Sequence, residues 1–164
     1  MAAWVAQYRD DVDKAVIIAP SFTISPQLGV ILSRIIMGLF LILPNIMTQR
    51  LRPFKDGPDH NYLGFATRGL GEMMRFGFSI YNTSKEKSAA AQSVLVITNA
   101  ADAAVNNKIT LKVAKNWQTN GLKQLETYQF DAKYKLIHDV IDPGQKQQNI
   151  AVTYPILLDL ILHG

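Results

Sequence analysis

The stretch SVLVITNAADAAVNN, Ser93 to Asn107, constrains this chain more than any other. Its apolar run, Val94 to Thr98, is Val, Leu, Val and Ile closed by a β-branched Thr, with no polar alternation, and helical periodicity follows it. A run of that length, bounded by Asn and feeding a helix, is the pattern of a parallel strand buried on both faces. In open α/β sheets, ligands and reactive groups gather just beyond the carboxyl ends of such strands. Asp102 falls at that position.

A second unit of the same form follows. ETYQF, Glu126 to Phe130, reads as a strand, and the loop after it, KLIHDVIDP, brings His138 to the equivalent place. A carboxylate after one strand and a histidine after the next supply two of the three groups in a nucleophile, base and orienter constellation. Each residue also has a plainer reading. Asp102 could form the turn or cap the helix that begins near Val105, and His138 could be a loop histidine bonded to backbone, with Asp139 biasing its charge.

The rest of the chain reads in order around this centre. Ala2 to Tyr8 has one-face helical spacing with no N-cap signal, and Ala15 to Ala19 is a first buried strand ended by Pro20. Leu28 to Leu43 and Gly69 to Tyr81 read as apolar helices flanking a loop, Arg50 to Phe65, rich in Pro, Gly, Asp and Asn. The segment Val105 to Asn120 reads as a helix with Gly121 at its C-cap. Asp142 suits the turn at Pro143-Gly144, and Ile150 to about Leu162 forms a final apolar helix. The expected class is α/β, with three parallel strands, flanking helices and a helical insertion. Residues 1–20 and 92–164 form the core and 21–91 the insertion.

Composition removes several functions. The absence of cysteine excludes a disulfide framework, a thiolate nucleophile and a thiolate metal site. The net charge of +4 comes from scattered residues. Lys108, Lys112 and Lys115 share a helical face without interleaved aromatics, which reads as a solvated surface and not a nucleic-acid interface. His60, His138 and His163 are too scattered for a metal site, so no cofactor is expected. The N-terminus has no basic region leading into an apolar core and is not a secretory signal. Leu28 to Met47 approaches the length of a membrane span, but Arg34 interrupts it at a cost of about 2.5 to 3.5 kcal/mol.

The order strand, Ala-Pro, helical insertion, VLVITNAAD, helix, strand, LIHDVIDP and apolar helix resembles the C-terminal part of an α/β-hydrolase, in the esterase, lysophospholipase and monoacylglycerol-lipase-like branch. The resemblance covers essentially the whole chain. It implies that Asp102 and His138 are the acid and histidine of a catalytic triad, in the family's Ser, Asp, His chain order. It also implies a helical cap and an ester or lipid-like substrate. The family's nucleophile elbow, G-x-S-x-G, precedes a helix corresponding to Ala2 to Tyr8, so the elbow and the oxyanion loop are expected ahead of Met1. The chain alone is then expected to be inactive. Among its own serines only Ser79, in GFSIY, approaches the elbow, and Tyr81 stands where the second glycine belongs.

Leu39, Phe40, Leu41, Leu43, Met73, Met74, Phe76 and Phe78 either line an acyl-chain pocket or pack the insertion onto the sheet. The alternative function is a non-catalytic interaction or membrane-surface protein using the apolar helix 28–47. Under either function the expected location is cytoplasmic, with a peripheral membrane position as the variant. So few strands leave an unpaired sheet edge, through which self-association is expected.

Overall fold

The computed structural model describes residues 1–24, 27–47, 64–145 and 147–163. Among these residues, one open sheet of three parallel strands, in the order β1 (Lys14–Ile18), β2 (Ser93–Asn99), β3 (Gln124–Phe130), carries five α-helices. The helices are α1 (Ala2–Tyr8), α2 (Val30–Ile42), α3 (Thr67–Ser84), α4 (Asn107–Thr119) and α5 (Ile150–Leu162). The α/β class and the three parallel strands are as expected. The loop from Arg50 to Phe65, with His60, lies almost wholly outside the described residues.

β2 is central. Its register runs from Ser93 opposite Lys14 to Ile97 opposite Ile18 on one side, and from Ser93 opposite Gln124 to Asn99 opposite Phe130 on the other. Only a strand with neighbours on both edges and layers on both faces can be apolar at consecutive positions, and every residue from Val94 to Asn99 is buried. β1 and β3 are flanking strands, and their burial alternates or fades accordingly.

The pleat sends alternate β2 residues to two cores. Val94 and Val96, with Ala15 and Ile17 of β1, join residues of α1, α3 and α4, including Ala6, Met74, Phe78, Val113 and Trp117. Leu95 and Ile97, with Phe130, join Leu136, Val140 and Leu157 on the opposite face. Gln7 is buried between α1 and α4, where it accepts from Trp117 Nε1 at 2.6 Å and donates to the Ser88 carbonyl at 2.8 Å. α4 ends as its sequence proposes. Gly121 takes φ +114°, and Leu122 N–H closes on the Trp117 carbonyl at 3.0 Å, a Schellman motif.

Within the expected insertion, α3 shares the sheet's larger core, whereas α2 buries only Ser33. α2 is held by α3. A Cβ on Gly71 would meet Phe40 and Leu41 at 3.1 Å, so the two helices approach closely there. Arg34 turns toward α3, donating to Asn82 Oδ1 at 2.6 Å and lying over the Phe78 ring. The charge that interrupts the apolar run is thus engaged within the protein. No helix among the described residues is long and apolar enough to cross a membrane.

Candidate active site

The site forms where β2 and β3 end. After Asn99 the chain turns, with Asp102 N–H bonded to the Asn99 carbonyl at 3.1 Å. Asp102 Oδ1 then accepts from Ala104 N–H at 2.8 Å and Val105 N–H at 3.2 Å, an Asx turn that fixes the carboxylate. The helix itself is capped by Asn106, whose side chain accepts from Ile109 N–H at 3.3 Å. Asp102 is therefore a turn former but not the N-cap.

Its other oxygen faces the second loop. Asp102 Oδ2 lies 2.7 Å from His138 Nδ1, a contact spanning 36 residues of sequence. The Asp102 side chain is wholly buried, while 41% of the His138 side chain is exposed. That is the only hydrogen bond the imidazole makes among the described residues, so its second nitrogen is open. Asp139 Oδ1 accepts from Ile141 and Asp142 N–H. Asp142 Oδ1 accepts from Gly144 N–H at 2.7 Å and closes the turn at Pro143.

Electrostatics follow the geometry. The hydrogen bond to Asp102 raises His138 above the ordinary histidine value; burial opposes this, and the charges of Asp102 and Asp139 add to it. For Asp102 burial is the largest single influence and acts upward. The bond to His138 and the Ala104 and Val105 amides outweigh it, and the carboxyl lies below its ordinary value.

Besides a hollow of about 300 Å³ on the Asp102 side, lined by Asp102, Asn106, Lys108 and Leu111 among others, two hollows lie at the end of β1, of which only the first touches the dyad. One, of about 210 Å³, is lined by Ile18, Ala19, His138, Asp139, Val140 and Ile141. The other, of about 250 Å³, lies between the start of α1 (Met1 to Ala3), the end of β1 and the α3 residues Met73, Phe76, Gly77 and Ile80. Ile18 lines both. Ala19, just past β1, adopts φ +43° although it precedes a proline, a conformation an alanine seldom holds.

The serines stand elsewhere. Ser79 lies on the exposed side of α3, its hydroxyl donating to the Phe76 carbonyl of its own helix at 2.7 Å. Ser84, Ser88 and Ser93 donate to the carbonyls of Tyr81, Trp117 and Asp13. Ser33 is buried in α2, Ser21 lines the second hollow, and Ser25 lies outside the described residues. His163 pairs with Asp159 one turn back in α5. Of the apolar residues singled out in the insertion, Met74 and Phe78 are core and Phe40 packs against it. Met73 and Phe76 line the second hollow, and Leu39 and Leu43 are exposed.

One residue of the site escapes the sequence pattern. Asn99 is fully buried, and its side chain bonds to both loops that carry the dyad. Its signal is an amide closing an otherwise apolar buried strand. No protein-family model, curated protein or solved structure matches this chain.

Proposed function

We propose that the chain carries the acid and histidine of a serine-hydrolase triad on part of an α/β-hydrolase fold, acting on carboxylic esters of lipid-like character. The observation that carries this reading is the Asp102–His138 pair at 2.7 Å, with its carboxylate buried and the second imidazole nitrogen open beside a hollow at the strand ends. Asp102 holds the Nδ1 proton and the ring's orientation, leaving the Nε2 lone pair as a general base. A serine hydroxyl placed there loses its proton to Nε2 as its oxygen attacks the ester carbonyl. Nε2 then returns that proton to the departing alcohol, and water repeats the cycle on the acyl-enzyme.

The serine belongs ahead of α1. The first residues of α1 line a hollow with Ile17 and Ile18, and Ile18 also lines the hollow of His138. A nucleophile on a turn entering α1 therefore arrives at the same strand end. The gene read in frame upstream of Met1 should encode a strand, G-x-S-x-G and a helix; stop codons without an elbow overturn the proposal. On the chain carrying that segment, a fluorophosphonate should add once to the elbow serine, as read by intact mass, and His138→Ala should abolish the adduct. Labelling indifferent to His138 sinks the reading equally.

A second reading rests on α2, whose Ile31 and Ile42 are 78% and 82% exposed. Under it the helix is a lipid or partner contact and the dyad is a relic. Ile42→Asp with the fold retained should then abolish co-sedimentation with liposomes.

A further inference from the structure

The two loops that bear Asp102 and His138 share no covalent link and no regular element. Among the described residues, Ala100 N–H bonds the Phe130 carbonyl at 3.0 Å where the two strands end, and the side chain that bonds to both loops is that of Asn99, the last residue of β2. Its side-chain Oδ1 accepts from Ala101 N–H at 3.0 Å, inside the turn that fixes Asp102. Its Nδ2 donates to the carbonyls of Leu136 at 2.9 Å and Ile137 at 3.1 Å, the two residues before His138. Its main-chain carbonyl accepts from Asp102 N–H at 3.1 Å and from Asn107 Nδ2 at 2.6 Å.

Asparagine meets this demand in a way few side chains can. The place needs two donors toward one loop and one acceptor toward the other, at short reach from a buried strand. Only one orientation of the amide satisfies all three bonds, so it is set by the surroundings. Aspartate there would face two carbonyls with oxygens, and a shorter or apolar residue would take this partner from the buried Leu136 carbonyl and the half-buried Ile137 carbonyl. The backbone leaves β2 as part of the sheet's stable centre, and the amide passes that rigidity to the more exposed loop of His138.

We propose that Asn99 is the positioning residue of the site, holding the Asp102 turn and the His138 loop at the separation that lets His138 Nδ1 bond Asp102. This rests on the dyad being the working pair of the proposed hydrolase. Asn99 is fully buried and bonds to neither side chain of the dyad; it acts through the two loops.

The test is the NMR titration of the His138 imidazole in the 164-residue chain and in four variants. In the unaltered chain the His138 midpoint should lie above the ordinary histidine value, and Asp102→Asn should bring it down. Asn99→Ala should bring it down as well, with the sheet's amide protection retained. Val113→Ala, a core change on the other face, should lower the melting temperature and leave the midpoint in place. Where Asn99→Ala does not fold, Asn99→Ser is read in the same way. A lowered melting temperature in the Asn99 variants with an unmoved His138 midpoint makes Asn99 merely structural and overturns the inference. A midpoint that is ordinary in the unaltered chain, or indifferent to Asp102→Asn, removes the dyad and with it the proposed function.

Discussion

The two faces of the sheet are built to different standards. On the face of Val94 and Val96, three helices supply a continuous core that includes Trp117, Met74, Phe78 and Tyr81. The face of Leu95 and Ile97 is covered by one helix, α5, and by the loop leading to it, with only six buried apolar residues among those described. α5 also contains Pro155, which withholds an N–H from the helical ladder. Asp102 follows the central strand, which serves both faces, whereas His138 rides on the thinner cover between Leu136 and Val140. The site thus joins a rigid carboxylate to a histidine whose loop opens more easily. Under the proposed function that is a workable division, because a base must exchange protons with what arrives at the surface while the acid need only hold it.

The largest effect expected falls on the thick face. Trp117→Ala removes the largest fully buried side chain and the bond to Gln7, and should cost about 3–5 kcal/mol in urea or thermal unfolding. Leu157→Ala on the thin face should cost less, about 2–3 kcal/mol, because fewer neighbours surround it. The comparison breaks if Leu157→Ala is the more damaging. Native-state hydrogen exchange sharpens it: amides of β2 and α4 should open only with global unfolding, and those of α5 at a lower free energy.

The two-faced architecture itself is legible in the amino-acid sequence. The consecutive apolar residues of Val94 to Thr98 require two covered faces, and the Asp-then-His order along successive strands places both side chains at one end of the sheet. Ile150 to Leu162 and Ala2 to Tyr8 are recognisable from periodicity alone. The unequal thickness is not legible, since it depends on which helices fall on which side. Asn99 and Gln7 are hidden for a related reason. A buried amide is indistinguishable in sequence from one that ends a strand or faces water, and its role comes from partners 37 and 110 residues away. The outward apolar face of α2 is only half legible: the run 28–47 reads either as a packed helix or as a surface contact, because a helix apolar on all sides looks the same in both.

A smaller effect should follow from the dyad, with a pH dependence of definite sign. His138 is raised in the folded state, so its charged form stabilises the fold fully below the unfolded histidine value of about 6.5, and this contribution is lost as pH rises through the raised value. Asp102 is lowered, so its contribution is present above the unfolded carboxylate range and disappears as pH falls through the folded value. Asp102→Asn should therefore destabilise most in mildly acidic solution and least at alkaline pH. The difference should be about 1 kcal/mol, because the half-exposed histidine is screened by water. Unfolding curves at about pH 5.5 and about pH 9, on either side of the histidine titration, check it. An equal loss at both would mean that the pair is not ionic.

The smallest effect concerns the backbone opposite His138. Ala19 holds φ +43° at the mouth of the histidine's hollow, a conformation that costs an L-residue about 1–2 kcal/mol and glycine nothing. Glycine loses more freedom on folding, by roughly 0.5–1 kcal/mol, so the two influences nearly cancel. Ala19→Gly should then leave stability within about 0.5 kcal/mol of the unaltered chain. Ala15→Gly, four residues earlier in β1 and buried against the thick core, gains no relief and loses a packed methyl. It should cost at least about 1 kcal/mol more than Ala19→Gly. If the two substitutions cost the same, Ala19 is not strained. If they differ as expected, β1 carries its unfavourable conformation only past its end, at the residue that shares a hollow with the histidine.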